Sequence, residues 1–115
     1  MIFCVSGTRP SFAIPAGGTH AMVANYGGGS VSVFPVLADG SLGAASDTKS
    51  PGAKAHQAVP SNSGAYAFVP CLGANLIAQY SFSGGKLTAN TPPAVSPPAA
   101  AGPRHLAFHP SQKWA

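Results

Sequence analysis

Residues 30–36, Ser-Val-Ser-Val-Phe-Pro-Val, alternate polar and apolar positions before the chain meets Asp39-Gly40. A period of two belongs to an extended strand with one face buried. A second apolar run, 21–25, precedes it, and Gly27-Gly28-Gly29 separates the two as a turn. The same grammar recurs downstream. Residues 65–70 lead into Gly73-Ala74-Asn75, and residues 76–82 run to Gly84-Gly85. Antiparallel strands are therefore predicted at 21–25, 30–36, 65–70 and 76–82. No segment keeps a helical period over three turns. Residues 92–103 carry five prolines, which rules out a helix interior or a central strand there and marks a connector.

The two stretches are copies of one unit. Val31 and Ile77 stand 46 residues apart, as do Phe34 and Tyr80, while Leu42 and Leu87 stand 45 apart. Phe12-Ala13-Ile14 precedes Gln57-Ala58-Val59 by 45, and Leu106-Ala107-Phe108 follows it by 49. The Pro/Ala-rich segment absorbs the longer step. A period of about 40–50 residues holding four short antiparallel strands is the signature of a propeller blade. A β-sandwich would also space its strands by turn signals. The expected fold is all-β, a partial β-propeller within a single domain. It comprises a four-stranded blade at about 10–48, another at about 55–95, a connector over 91–103, and the opening strand of a third blade at 104–115. Two blades and a piece cannot close a ring of at least four, so the chain is expected to be part of a longer one.

Composition sharpens this picture by exclusion. Charged residues are 7% of the chain, against 45% hydrophobic, so little charge discourages edge-to-edge association. The net charge of +4 comes from six scattered cations against Asp39 and Asp47. They form no run or stripe, which argues against nucleic-acid binding, while an anionic substrate still suits the excess of positive charge. Cys4 and Cys71 lack the spacing of a zinc site or a disulfide framework and read as two reduced thiols. The opening Met1–Gly7 has no basic leader and too short an apolar stretch for a signal peptide. No run approaches the ~20 residues of a membrane span. A cytoplasmic protein without a membrane partner is expected.

Four phrases follow one another at blade spacing. They are Val23-Ala24-Asn25-Tyr26-Gly27-Gly28-Gly29-Ser30-Val31, His56-Gln57-Ala58-Val59, Phe68-Val69-Pro70-Cys71-Leu72-Gly73, and Gly102-Pro103-Arg104-His105-Leu106-Ala107-Phe108-His109-Pro110. Over residues 9–115 the chain resembles the β-propeller lactonase family, which includes the bacterial propeller-type 6-phosphogluconolactonase and is related to a fungal carboxymuconate-lactonising enzyme. The seven opening residues and the loop 61–65 fit that pattern poorly. The resemblance implies a seven-bladed parent that opens a sugar lactone, 6-phosphogluconolactone foremost, with water in the pentose phosphate route, using no metal or organic cofactor. Two other readings stay open: a non-catalytic propeller repeat that binds a ligand or partner, and a cycloisomerase acting on a muconate-type acid.

Lactone hydrolysis needs a base for water and a donor or cation for the developing oxyanion. A phosphorylated substrate needs a further cation. Aligning Ala58 with Ala107 sets His56 opposite His105, each at the head of the first strand of its blade, where side chains converge on the channel mouth. His56 and Arg104 are the candidate catalytic pair. By resemblance, His56 would be a general base or carbonyl ligand and Arg104 an anion clamp. His105 is a candidate substrate contact, although alternation of strand faces means that it and Arg104 cannot both enter the channel. His20 and His109 read as structural. The four histidines lie too far apart in the repeat for a zinc site. The resemblance places a glutamate and a second arginine on later blades, beyond this chain.

Overall fold

The computed structural model describes residues 10–115; the opening 1–9, with Cys4 and Arg9, lie outside the described residues. Two four-stranded antiparallel sheets stand side by side, and there is no helix among the described residues. The first comprises β1 (Pro10–Ala13), β2 (His20–Asn25), β3 (Ser30–Pro35) and β4 (Asp47–Lys49) in sequential order. The second repeats that order with β5 (Val59–Pro60), β6 (Tyr66–Cys71), β7 (Leu76–Ser83) and β8 (Lys86–Val95). These are the two blades that the repeat predicts.

Strand alternation decides which side chains meet. Met22 lies opposite Val33 and Ala24 opposite Val31, so all four share one face of the first sheet. Ala67 opposite Tyr80, and Val69 opposite Ala78, share one face of the second. These two faces form one buried core with Ala55, Ala58, Cys71 and Leu87. The alanines let the sheets approach closely, and Met22, Val31, Val33 and Val69 fill the remaining volume. Each such side chain contributes about 1.5–3 kcal/mol relative to exposure.

Polar contacts close the seam between the blades. The N–H of Leu87 donates to Asp47 Oδ2 at 2.8 Å, Ser46 Oγ donates to the Gly85 carbonyl at 2.8 Å, and Lys86 Nζ donates to the Ser46 carbonyl. His20 packs edge-on against Phe82, ring centroids 5.6 Å apart. A Cβ on Gly85 would come within 2.7 Å of His20 Nε2, so glycine is what lets this turn reach the neighbouring blade.

Two features depart from the expected boundaries. Strand β8 continues through Pro92 and Pro93 to Val95, into the stretch read as connector. It is the edge strand of its sheet, where a missing N–H can face away from the ladder, and its register shifts between Ala78 and Tyr80. The loop 61–65 is a compact turn: Gly64 N–H donates to the Ser61 carbonyl at 2.9 Å, and Ser61 N–H donates to the Tyr66 carbonyl at 2.9 Å.

Beyond the prolines, residues 104–108 lie against the outer face of the second blade without entering a ladder. Leu106 N–H donates to Gln57 Oε1 at 3.0 Å, and the Phe108 ring meets that of Phe68 at 5.5 Å.

Candidate functional site

The chain enters β5 alongside β6. Ala55 bridges Cys71, and the N–H of His56 donates to the Pro70 carbonyl at 2.8 Å. Ala55 and Ala58 are buried in the core, which leaves His56 and Gln57 half-buried at the rim. Pro10 pairs with Asn25 at the corresponding rung of the first blade, so Ser11 stands there where the second blade has His56.

The His56 ring is held between two others. The Tyr26 ring, from the β2–β3 turn, meets it edge-on at 5.7 Å, and the His105 ring meets it edge-on at 5.0 Å. Perpendicular rings at this separation place the positive edge of one on the negative face of the other. The structure thus brings together His56 and His105, the histidines that the repeat aligns. Arg104 is exposed beside them in the chain. His20 lies in the blade seam, and His109 belongs to the turn at 109–112, with its Nδ1 accepting from Ser111 N–H at 3.1 Å.

Tyr26 and Lys54 are neighbours of the site that sequence reasoning missed. The signals were there, because Tyr26 stands in the Asn-Tyr-Gly-Gly-Gly phrase and Lys54 two residues before His56. An open cleft of about 370 Å³ lies between the β2–β3 turn and the link from β4 to β5, with Tyr26, Gly28, Gly29, Ser50, Gly52 and Lys54 among its walls. Lys54 Nζ stands 6.0 Å from the centroid of the Tyr26 ring. Tyr26 is therefore the common wall of the cleft and of the histidine pair.

Neither carboxylate of the chain is in this site. Asp39 is tied within its own turn to Ser41, accepting from the hydroxyl at 2.6 Å and the N–H at 3.0 Å. Asp47 lies in the blade seam. Among the described residues, no three His, Cys, Asp or Glu side chains are grouped to hold a metal ion, and no helix is long and apolar enough to cross a membrane. The site offers two imidazoles, the Lys54 ammonium and a phenol, with Arg104 next to His105 in the chain, a set able to move a proton and attract an anion.

A family model described as a seven-bladed β-propeller lactonase matches residues 7–115. The chain is 36% identical over 86 residues to the 6-phosphogluconolactonase of Sodalis glossinidius, covering 74% of this chain and 26% of that protein. It is 36% identical over 104 residues to the 6-phosphogluconolactonase of Bacillus subtilis, covering 82% and 29%. Among solved structures, the periplasmic gluconolactonase of Pseudomonas aeruginosa superposes with a TM-score of 0.80 at 32% identity, over 89% of this chain and 33% of that one. The two sheets are blades of a lactonase-type propeller. The chain belongs to the seven-bladed β-propeller lactonase family, and it spans less than a third of the length of these two curated relatives.

Proposed function

We propose that this chain supplies two blades, and the approach to a third, of a longer lactonase that hydrolyses 6-phosphogluconolactone to 6-phosphogluconate. The observation that carries the reading is the ring contact of His56, at the entry to the second blade, with His105, the histidine that the repeat aligns with it, in a member of a lactonase family. Water adds to the lactone carbonyl carbon, the ring C–O bond breaks, and the leaving oxygen takes a proton. The product is the open hydroxy acid. His56 acts on the water or the carbonyl oxygen, Arg104 steadies the anion, and His105 contacts the substrate. The other blades complete the channel mouth. A cytoplasmic location agrees with a substrate drawn from sugar metabolism, while the periplasmic relative makes cell fractionation the check.

The test is the rate at which the complete propeller opens freshly made 6-phosphogluconolactone, corrected for spontaneous opening. His56→Ala and Arg104→Ala should each raise the barrier by about 2–4 kcal/mol, the scale of one lost oxyanion donor. Unchanged rates in both variants would remove these residues from the chemistry. A complete protein that hydrolyses no lactone would point to a binding propeller instead.

A further inference from the structure

Given lactone hydrolysis at His56, we infer that the cleft beside Tyr26 receives the phosphate end of the substrate, with Lys54 as its cation. Lys54 is a specificity-determining residue for phosphorylated over unphosphorylated lactones.

The backbone at Lys54 is the first reason. Its φ is +58°, in the left-handed region that L residues with long side chains seldom adopt. Glycine would satisfy that turn more readily, and the chain spends glycine freely at other left-handed positions nearby, Gly29 among them. A lysine at such a position is understandable if its side chain is used. The local structure holds it firmly. The Lys54 carbonyl accepts from Leu72 N–H at 3.0 Å, and the Ala53 carbonyl accepts from Gly73 N–H at 3.1 Å and Ala74 N–H at 3.2 Å.

The course of the side chain is the second reason. A Cβ on Gly73 would meet Lys54 Cγ and Cδ at 3.1 Å, so the lysine stem runs over a glycine that makes room for it. The stem delivers the ammonium to the face of Tyr26, whose ring also touches His56. A cation at one side of a shared wall and a proton-transfer group at the other match a substrate with an anionic tail and a reactive carbonyl.

The walls supply the third. Gly28 has no left-handed φ, and a Cβ there would find only ordinary contacts, Ser30 Oγ at 3.7 Å and Asn25 Cβ at 3.9 Å. Neither its backbone angle nor close packing requires glycine at this position. Its small size does keep the cleft open, as a bulky dianion next to backbone requires. Neither Asp39 nor Asp47 lines the cleft, so no carboxylate opposes such an anion there.

Lys54→Gly in the complete propeller separates a structural role from a binding one. Glycine relieves the left-handed residue, so the thermal midpoint should hold or rise. Calorimetric titration with 6-phosphogluconate should show affinity reduced about tenfold, the effect of one lost charge-assisted contact. Affinity for gluconate should not move, and Lys54→Arg should retain most of the phosphate preference. A lower midpoint, an equal loss for both acids, no change for either, or no binding of 6-phosphogluconate by the unmodified protein would overturn the inference. The hydrolysis assay is independent of these titrations. A propeller that binds the phosphorylated acid through Lys54 without opening lactones would sink the enzymatic reading alone.

Discussion

The single residues that matter most to the fold are small ones in confined places. Cys71 is buried in the shared core with its Sγ donating to the Val69 carbonyl at 3.4 Å. Burial pushes its thiol up to about 11 from an ordinary 9.0. The neutral thiol is favoured in the folded state, so the associated stability is complete below pH 9.0 and is lost as pH rises toward 11. At neutral pH little thiolate exists for electrophiles. Iodoacetamide should therefore label Cys71 only on unfolding, as read by mass spectrometry of its own peptide; rapid labelling of the folded protein would mean that the core is open there. Gly29 shows the other kind of confinement. Its φ is +62°, and an added Cβ would stand 2.9 Å from the Gly52 carbonyl oxygen, where backbone rather than a flexible side chain must yield. Gly29→Ala should cost about 1–3 kcal/mol in urea unfolding.

At the scale of elements, the blades are joined by their edges as well as their core. Strand β4 offers Asp47 to the first residues of β8. Partial burial alone would raise this carboxyl, but the Leu87 N–H, the Lys49 ammonium at 3.2 Å and the Thr48 N–H together hold it below its ordinary 3.8. A depressed carboxyl stabilises the fold above its unfolded value and ceases to do so as pH falls through the lower folded value. The seam should thus weaken below about pH 3.8. Asp47→Ala should lose about 1–3 kcal/mol near neutrality by stranding the Leu87 N–H, and its acid limb should be shallower than that of the parent. An acid limb of unchanged steepness would assign the transition to other groups. The strands themselves are legible in the sequence, because Ser-Val-Ser-Val alternation and glycine turns define β2, β3, β6 and β7 locally. The end of β8 was not, since Pro92 and Pro93 exclude only a central strand, and which strand is the edge depends on the sheet. The site divides in the same way. His56 and His105 follow from the repeat, being equivalent positions in its sequence. Tyr26 and Lys54 come from different turns, and only the packing of one blade against the next brings them together.

For the molecule as a whole, two blades leave a good deal unsatisfied. Strands β1 and β5 bound the two sheets on one side, β4 and β8 on the other. Large apolar side chains stay in water, with Trp114 at 71% exposure, Phe12 at 53% and Ile14 at 51%. Open strand edges template further pairing, and with charged residues at only 7% of the chain there is little repulsion to oppose it. Residues 1–115 produced alone should therefore self-associate, which sedimentation velocity would detect; a monomer with a sharp melting transition would show that two blades suffice as a folding unit. The same incompleteness bears on chemistry. Catalysis requires the proton-transfer group, the oxyanion donor and the phosphate ligand to be held within about half an ångström of their working positions. Here His56 and Lys54 are set by the link into β5, while Arg104 and His105 are both exposed and lie in a segment that has joined no ladder. Both carboxylates are committed elsewhere, Asp39 to its own turn and Asp47 to the seam. Neither is placed to act as an acidic group of the site. Residues 1–115 alone should open 6-phosphogluconolactone no faster than the spontaneous reaction, whereas the complete propeller should do so at an enzymatic rate. Comparable rates from the two would mean that the catalytic groups are already assembled within these two blades.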